Sequence, residues 1–195
     1  MMCMSKGAFF ILAAALVFGL TACQGAPQAA KPYAIPQNAP RPDQVKWTYL
    51  PGGLILNVKA DNELNPFEGF SHNLMLCVYQ LSGPDLFQEL AAGIGGIRKM
   101  LECAPFDPTV VHVARHFIFP GEEAALVMDR AEGARYVGLV AGYNDIQPGM
   151  VTTLYAFPVS ENSKGWSPWS KVYNPGILTV DILLDTHSIQ RIGVD

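Results

Sequence analysis

From residue 54 onward apolar residues return at every second position in one segment after another, and that period limits what this chain can fold into more than any other feature. Leu54, Leu56, Val58 and Ala60 alternate with Ile55, Asn57, Lys59 and Asp61. In an extended chain the two sets fall on opposite faces, which describes a strand buried on one side. Residues 74–81 (LMLCVYQL) are almost continuously apolar, as a central strand must be. Val111, Val113, Arg115, Phe117 and Phe119 then alternate with His112, Ala114, His116 and Ile118, Pro120-Gly121 ends the run, and residues 123–128 resume it, so this pair reads as a hairpin. Further strands are predicted over 136–143, 150–157, 178–184 and 188–194. One stretch breaks the pattern. Residues 86–101 (LFQELAAGIGGIRKML) place helix formers around a glycine-rich middle and predict two short helices. Seven or eight strands, mostly antiparallel, with one helical insertion predict a β-sandwich, because an α/β fold would set a helix after every strand.

The N-terminus is an address rather than part of that fold. Lys6 is followed by an unbroken apolar run over 7–20 (GAFFILAAALVFGL), shorter than the ~20 residues a spanning helix needs and typical of a signal peptide. It ends in Leu20-Thr21-Ala22-Cys23, which resembles the lipobox of bacterial lipoproteins. That resemblance implies cleavage after Ala22 and covalent lipid on Cys23, and Gln24 at the next position implies onward sorting to the outer membrane, on its periplasmic face. Acyl chains contribute about 0.8 kcal/mol per buried methylene, enough for several together to hold a protein without a transmembrane helix. Residues 24–44 (QGAPQAAKPYAIPQNAPRPDQ) carry Pro27, Pro32, Pro36, Pro40 and Pro42 and almost no branched aliphatics, so they read as a tether. At ~3.1 Å per residue it could reach roughly 65 Å from the bilayer. The expected organisation is thus a signal peptide at 1–22, a lipidated cysteine and proline-rich tether at 23–44, and a β-sandwich domain at 45–195. A body of ~150 residues can bury around 70% of its unfolded surface and should need no cofactor to fold.

Composition narrows the functions. With 13 basic against 17 acidic residues and a net charge of −4, and no Lys/Arg cluster, the footprint of a nucleic-acid binder is missing. The cysteines at 3, 23, 77 and 103 form no CxxC and no zinc spacing with histidine. His112 and His116 have a metal-chelating spacing only on a helix; on the strand predicted here four residues span ~13 Å, so no metal site is expected. Gly93-Ile94-Gly95-Gly96 lacks the preceding strand and the Lys-Ser/Thr of a phosphate loop and reads as a helix break. No G-x-S-x-G, H-E-x-x-H or Ser-x-x-Lys pattern occurs, and no enzymatic activity is expected.

Cys77 and Cys103 remain after lipidation, in a compartment where disulfides persist. Joined, they would close a loop of about 26 residues, worth roughly 3.5 kcal/mol in the chain-entropy model; unjoined, Cys77 is a small core residue and Cys103 a half-buried thiol. The residues alone leave both readings open. Two loops have the composition of interaction surfaces. Residues 61–73 (DNELNPFEGFSHN) combine three acids with two phenylalanines, and residues 160–174 (SENSKGWSPWSKVYN) carry Trp166, Trp169 and Tyr173. Large aromatics in polar loops either fold back onto the domain or face a partner.

These pieces together resemble the outer-membrane lipoprotein family of the type VI secretion system, TssJ (also SciN or VasD). The resemblance is carried by the lipobox with Cys23, by Leu64-Asn65-Pro66 and Gly69 leading into Val78-Tyr79-Gln80-Leu81, and by Phe87 and Leu90. Pro120-Gly121-Glu122 ahead of a strand and the run Ala134-Arg135-Tyr136-Val137-Gly138-Leu139-Val140-Ala141-Gly142-Tyr143 continue it. It covers most of residues 54–158. It implies a transthyretin-like antiparallel β-sandwich with a helical insertion, anchored in the outer membrane and binding the periplasmic region of the inner-membrane protein TssM within a TssJ–TssL–TssM membrane core complex. In the family the loop between the first two strands contributes to that contact, which here makes Glu63, Asn65, Phe67, Glu68 and Phe70 the expected contact residues. Two other readings remain beside it. Trp166, Trp169 and Tyr173 could form a stacking platform for a periplasmic carbohydrate or peptidoglycan, and an outer-membrane hydrolase without a recognisable motif would require a deep pocket with convergent polar groups.

Overall fold

The alternation at the start of the body builds strand β1 (Leu50–Ala60), whose Leu54, Leu56, Val58 and Ala60 are buried while Asn57 and Lys59 face solvent. The computed structural model describes residues 38–163 and 171–194. After β1 come β2 (Leu74–Leu81), helices α1 (Asp85–Ala91) and α2 (Ile94–Met100), and β3 (Val110–Ile118), β4 (Glu123–Arg130), β5 (Tyr136–Ala141) and β6 (Thr152–Ala156). A hairpin of β7 (Val159–Ser163) and β8 (Lys171–Pro175) precedes β9 (Leu178–Leu184) and β10 (Ile189–Val194). Eight of these strands form two four-stranded sheets, ordered β10-β9-β1-β4 and β3-β2-β5-β6. Their inward faces share one apolar core, with Leu54, Leu56, Val180 and Ile182 from the first sheet and Leu76, Val78, Leu139 and Ala141 among those from the second. This is the expected sandwich.

One pair departs from the antiparallel rule: β1 and β9 run parallel, Leu54 opposite Leu178 through Ala60 opposite Leu184. The cause lies in the connection. After β6 the chain leaves the second sheet through the β7–β8 hairpin and re-joins the first sheet at the end where β1 begins, so β9 must run in the same direction as β1.

The two helices lie over the outer face of the second sheet, which is why β2 and β5 are buried on both sides. Phe87, Ile97 and Met100 supply the buried contacts. Gly138 on β5 is required by this packing, since a Cβ there would stand 2.3 Å from the Phe87 ring. The Tyr79 hydroxyl donates to the carbonyl of Met100, and burial pushes it up to about 12. Cys77 on β2 is joined to Cys103 just beyond α2 by a disulfide whose Cα atoms are 5.4 Å apart. The sequence left that pairing open; the fold brings the two cysteines together because α2 lies along β2.

The strands define two ends. At one, here the incoming end, the described chain begins: Ala39 is buried and exchanges backbone hydrogen bonds with Tyr173 at 2.9 Å, Pro42–Gln44 form a single 3-10 turn, and the carbonyl of Trp47 accepts from Gly133 at 2.7 Å. The folded body therefore reaches back to Ala39 rather than beginning at Val45. Pairing with β8 gives these proline-flanked residues backbone partners that their composition did not announce. Arg130, the last residue of β4, is buried here in phase with Leu126 and Met128. Its guanidinium lies 5.5 Å from the Trp47 ring centre and 5.6 Å from that of Phe157, and donates to the carbonyls of Gly176 at 3.1 Å and Thr48 at 2.8 Å.

Residues 160–174 also differ from the expectation of a loop. Their flanks pair as β7 and β8, Ser160 opposite Asn174 and Glu161 opposite Tyr173, with Lys171 and Glu161 in a 2.8 Å ion pair. Alternating Glu161, Ser163, Lys171 and Tyr173 had the pattern of a short two-sided strand pair, and the polar composition concealed it. Trp166 and Trp169 lie outside the described residues, as does Cys23.

Candidate docking site

Loop 61–73 closes the opposite end of the sandwich, where it meets the β3–β4, β5–β6 and β9–β10 connections. Its first residues turn because Asp61 caps them: the backbone N–H of Glu63 donates to Asp61 Oδ1 at 2.7 Å, and Leu64 N–H to the Asp61 carbonyl at 3.2 Å. Leu64 drops into the core with no exposed surface, fixing the loop from below.

Asn65 does the rest of the fastening. It sits at φ 50°, a left-handed conformation that asparagine tolerates better than most residues. Its backbone N–H donates to Thr186 O at 3.1 Å, its Oδ1 accepts from Asn144 N–H at 2.8 Å, and its Nδ2 donates to Asn73 O at 3.2 Å. Three connections are thereby tied through one residue, two of the bonds from its side chain and one from its backbone. Among the expected contact residues Asn65 is the correction: only 5% exposed, it spends its polar atoms inside the loop cluster and offers almost nothing to a partner.

Above this base the chain makes a miniature hairpin. Phe67 and Phe70 exchange backbone hydrogen bonds of 2.9 and 3.0 Å around Glu68 at φ 51° and Gly69 at φ 84°. Two successive positive φ values define a type I′ turn, the form that closes two-residue hairpins. The turn thrusts its aromatic residues outward: Phe67 is 52% and Phe70 73% exposed, and Glu63 and Glu68 are exposed beside them. Phe67 meets His72 edge-on with ring centres 6.2 Å apart, while His72 Nδ1 lies 2.9 Å from the Phe70 carbonyl. Ser71 Oγ donates to Asn62 O at 2.9 Å. A loop held this way presents apolar rings with little left to order on binding.

The neighbouring connections are equally fixed. Gly121 N–H donates to Asp61 O at 3.0 Å, and Phe119 N–H to Glu122 Oε2 at 2.7 Å. The Tyr143 hydroxyl lies 2.9 and 2.8 Å from the carbonyls of Asp185 and Ser188, and its burial holds the phenol well above its ordinary range. At the end of β1, Lys59 and Glu123 form a 2.7 Å ion pair that raises the lysine and lowers the glutamate.

His112 and His116 both lie on strand β3, opposite Gln80 and Leu76, and burial lowers the His116 imidazole. Gly93 lies in the break between α1 and α2, and Gly95 and Gly96 fall within the first turn of α2. No group of three or more His, Cys, Asp or Glu among the described residues is arranged to hold a metal ion. The concavities across Asn57, Asp181 and Ile192 and between α1 and Thr152 are open grooves, neither enclosing a site. Tyr173, the described member of the aromatic trio, is half-buried. Sequence reasoning missed two exposed rings at the loop end, Phe117 and Phe119; their odd positions, in phase with Arg115 and opposite in phase to buried Ile118, were the available signal.

Comparison with curated protein sequences finds no match. Among solved structures, the T6SS lipoprotein TssJ1 from Pseudomonas aeruginosa is similar at TM-score 0.51 and 21% identity, covering 73% of this chain and 93% of that one. Serratia marcescens Lip, described as a membrane-bound component of the type VI secretion system, is similar at TM-score 0.53 and 15% identity over 72% and 96%. A chain in the structure described as the T6SS protein TssM C-terminal domain from EAEC gives 0.53 and 12% over 72% and 97%. At these identities the likeness is one of fold. The family model T6SS-SciN, described as type VI secretion lipoprotein, VasD, EvfM, TssJ, matches residues 53–181. That span runs from within β1 to within β9 and includes the whole of loop 61–73, and the chain belongs to the type VI secretion lipoprotein family.

Proposed function

We propose that this lipoprotein, held in the outer membrane by lipid on Cys23, anchors a type VI secretion membrane core by binding the periplasmic region of a TssM-like inner-membrane protein through loop 61–73. The observation that carries this reading is polarity. The chain arriving from Cys23 joins the sandwich at one end, where Ala39 pairs with Tyr173, and the rigid loop with Phe67 and Phe70 stands at the other. A body tethered at its incoming end can hold its loop end toward the periplasm, across a tether that, now ending at Ala39, reaches roughly 45 Å. Exposed aromatic rings on a fixed turn, rimmed by Glu63 and Glu68, have the composition of an interface centre with a polar edge. The EAEC structure named for the TssM C-terminal domain contains a chain of this fold, which supports the choice of partner. In this assembly, of the TssJ–TssL–TssM type, Cys23 is the residue that carries the lipid.

The test is a titration of the full-length lipoprotein in mild detergent with the periplasmic domain of the TssM-like protein from the same organism. Saturable binding is expected, weakened at least tenfold by Phe67→Ser with Phe70→Ser while the melting temperature is unchanged. Absence of binding by the unaltered protein overturns the proposal.

A further inference from the structure

The loop end carries a second pair of exposed rings. Phe117 is 54% and Phe119 59% exposed, one at the end of β3 and the other just beyond it. The register explains why they are bare. Helical cover over the second sheet reaches β3 at Arg115, whose Nη2 donates to Glu102 O at 2.6 Å, and Phe117, opposite Met75, lies one step past that cover on the outward face. Nothing in the folding of the domain requires phenylalanine there; a polar residue would satisfy an outward strand position as well.

These rings share one rigid platform with the first pair. Gly121 N–H donates to Asp61 O at 3.0 Å, Ala60 N–H donates to Glu122 O at 2.8 Å, and a Cβ added to Gly121 would stand 2.5 Å from Asn62 Oδ1. The β3–β4 turn is thus fastened to the base of loop 61–73. The backbone of Phe119 is held at this turn, its N–H donating to Glu122 Oε2 at 2.7 Å.

Charge completes the description. The four connections at this end, residues 61–73, 119–122, 142–151 and 185–188, contain Asp61, Glu63, Glu68, Glu122, Asp145 and Asp185 and no lysine or arginine. Six formal negative charges at one end of a chain whose net charge is −4 make this end distinctly acidic.

We infer that Phe117 and Phe119 form the second half of a two-part docking surface, continuous with Phe67 and Phe70, whose occupant is an apolar protein surface rimmed by lysine and arginine on the TssM-like partner. This rests on the function proposed above and deepens it. Acidic rims attract a basic partner and set its approach, while aromatic rings desolvated at the centre hold it. A second copy of this chain fits poorly, because two such ends would bring their carboxylates together.

The experiment compares four forms of the full-length lipoprotein in detergent with the same periplasmic domain as probe: unaltered, Phe67→Ser/Phe70→Ser, Phe117→Ser/Phe119→Ser, and Glu63→Gln/Glu68→Gln. Phe117→Leu/Phe119→Leu serves as the form that keeps apolar surface, and thermal melting reports folding of each. Expected are at least tenfold weaker binding for Phe117→Ser/Phe119→Ser at unchanged melting temperature, recovery to within threefold in the leucine form, and slower association with weaker salt dependence in Glu63→Gln/Glu68→Gln. Unaltered binding by Phe117→Ser/Phe119→Ser, with loss in Phe67→Ser/Phe70→Ser, overturns this inference and leaves the proposed function standing. No binding by the unaltered protein overturns both. A homodimer in sedimentation that Phe117→Ser/Phe119→Ser dissolves overturns it in favour of a second copy.

Discussion

The two ends of the sandwich use the same kinds of residue in opposite ways. At the incoming end, Trp47 and Phe157 are turned inward to flank a buried guanidinium, and Arg130 spends its donors on the carbonyls of Gly176 and Thr48. At the loop end, Phe67, Phe70, Phe117 and Phe119 are turned out, and the carboxylates around them have no lysine or arginine within their loops. Burial pulls the Arg130 guanidinium down to about 10 without discharging it at neutral pH. The difference teaches which end is built for the molecule itself. A buried cation bound to the carbonyls of Thr48 and Gly176 fastens the chain ahead of β1 to the β8–β9 connection, whereas exposed rings on fastened turns contribute nothing to stability that a polar residue would not.

Breaking the incoming end should therefore cost the most. Arg130→Ala removes two charge-assisted hydrogen bonds and two cation–π contacts and leaves carbonyls without donors, a loss of about 4 kcal/mol in urea unfolding. Phe67→Ser/Phe70→Ser should change stability by no more than ~0.5 kcal/mol. If the two variants shift the urea midpoint equally, the contrast between the ends is wrong.

The disulfide comes next, and it lies between the ends. Joining Cys77 to Cys103 closes a loop whose ends are 26 residues apart in sequence, which predicts a loss of about 3.5 kcal/mol for Cys77→Ala/Cys103→Ala. Adding a reductant to the unaltered protein should move its urea midpoint toward that of the double variant. Binding through the loop end should stay within twofold in either case, because the bridge secures α2 to β2 and not the docking loop. A large loss of affinity on reduction would show that the helical cover sets the position of Phe117.

Asn65→Ala sharpens the comparison within the loop end. It deletes the side-chain bonds to Asn144 N–H and to Asn73 O, and should lower stability by about 2 kcal/mol. It should also weaken binding of the TssM-like domain although the residue is buried, through loss of loop order. Binding unchanged at reduced stability would show that the hairpin at Phe67 and Phe70 holds itself.

How far the chain could be read in advance depended on whether a residue's role was local. Strand β2 and strand β9 were legible to the residue, since apolar runs bounded by turn residues define them without help from elsewhere. Loop 61–73 stood out by its acids and phenylalanines, and the Glu68-Gly69 pair between two aromatic residues was a two-residue turn signal. Asn65 was misjudged because its partners, Asn144 and Thr186, are remote in sequence; a polar residue in a polar loop gives no local sign of being buried. Ala39 escaped for the same reason, being held by Tyr173 from the far end of the chain. Arg130 is the instructive case: its place in phase with Leu126 and Met128 marked it as core-facing, yet only the fold supplies the carbonyls and rings that make a buried cation tolerable.

The smallest expected effect concerns acid. His116 faces inward from β3 and its Nε2 is buried with no hydrogen-bond partner among the described residues; burial lowers its pKa below the ordinary 6.5. The unfolded chain then binds a proton more readily than the folded one as pH falls below 6.5. Stability from the neutral imidazole is full above 6.5 and is lost as pH drops from 6.5 through the folded value, so in that window stability rises with pH. Glu123, held low by Lys59, and Asp129, held low by Tyr49 and the Gly52 N–H, act in a separate, more acidic window, where stability is lost as carboxylates protonate. His116→Met keeps an apolar side chain of similar size without a titrating group. Urea unfolding at pH 7.5 and pH 5.5 should show the unaltered protein losing stability on acidification and the variant losing less, with the two converging in their response below the carboxylate range. Equal losses in both proteins between pH 7.5 and 5.5 would mean that His116 titrates as it does in water, and that the upper part of β3, from His116 to the exposed Phe117 and Phe119, opens to solvent rather than standing as a fixed edge of the docking surface.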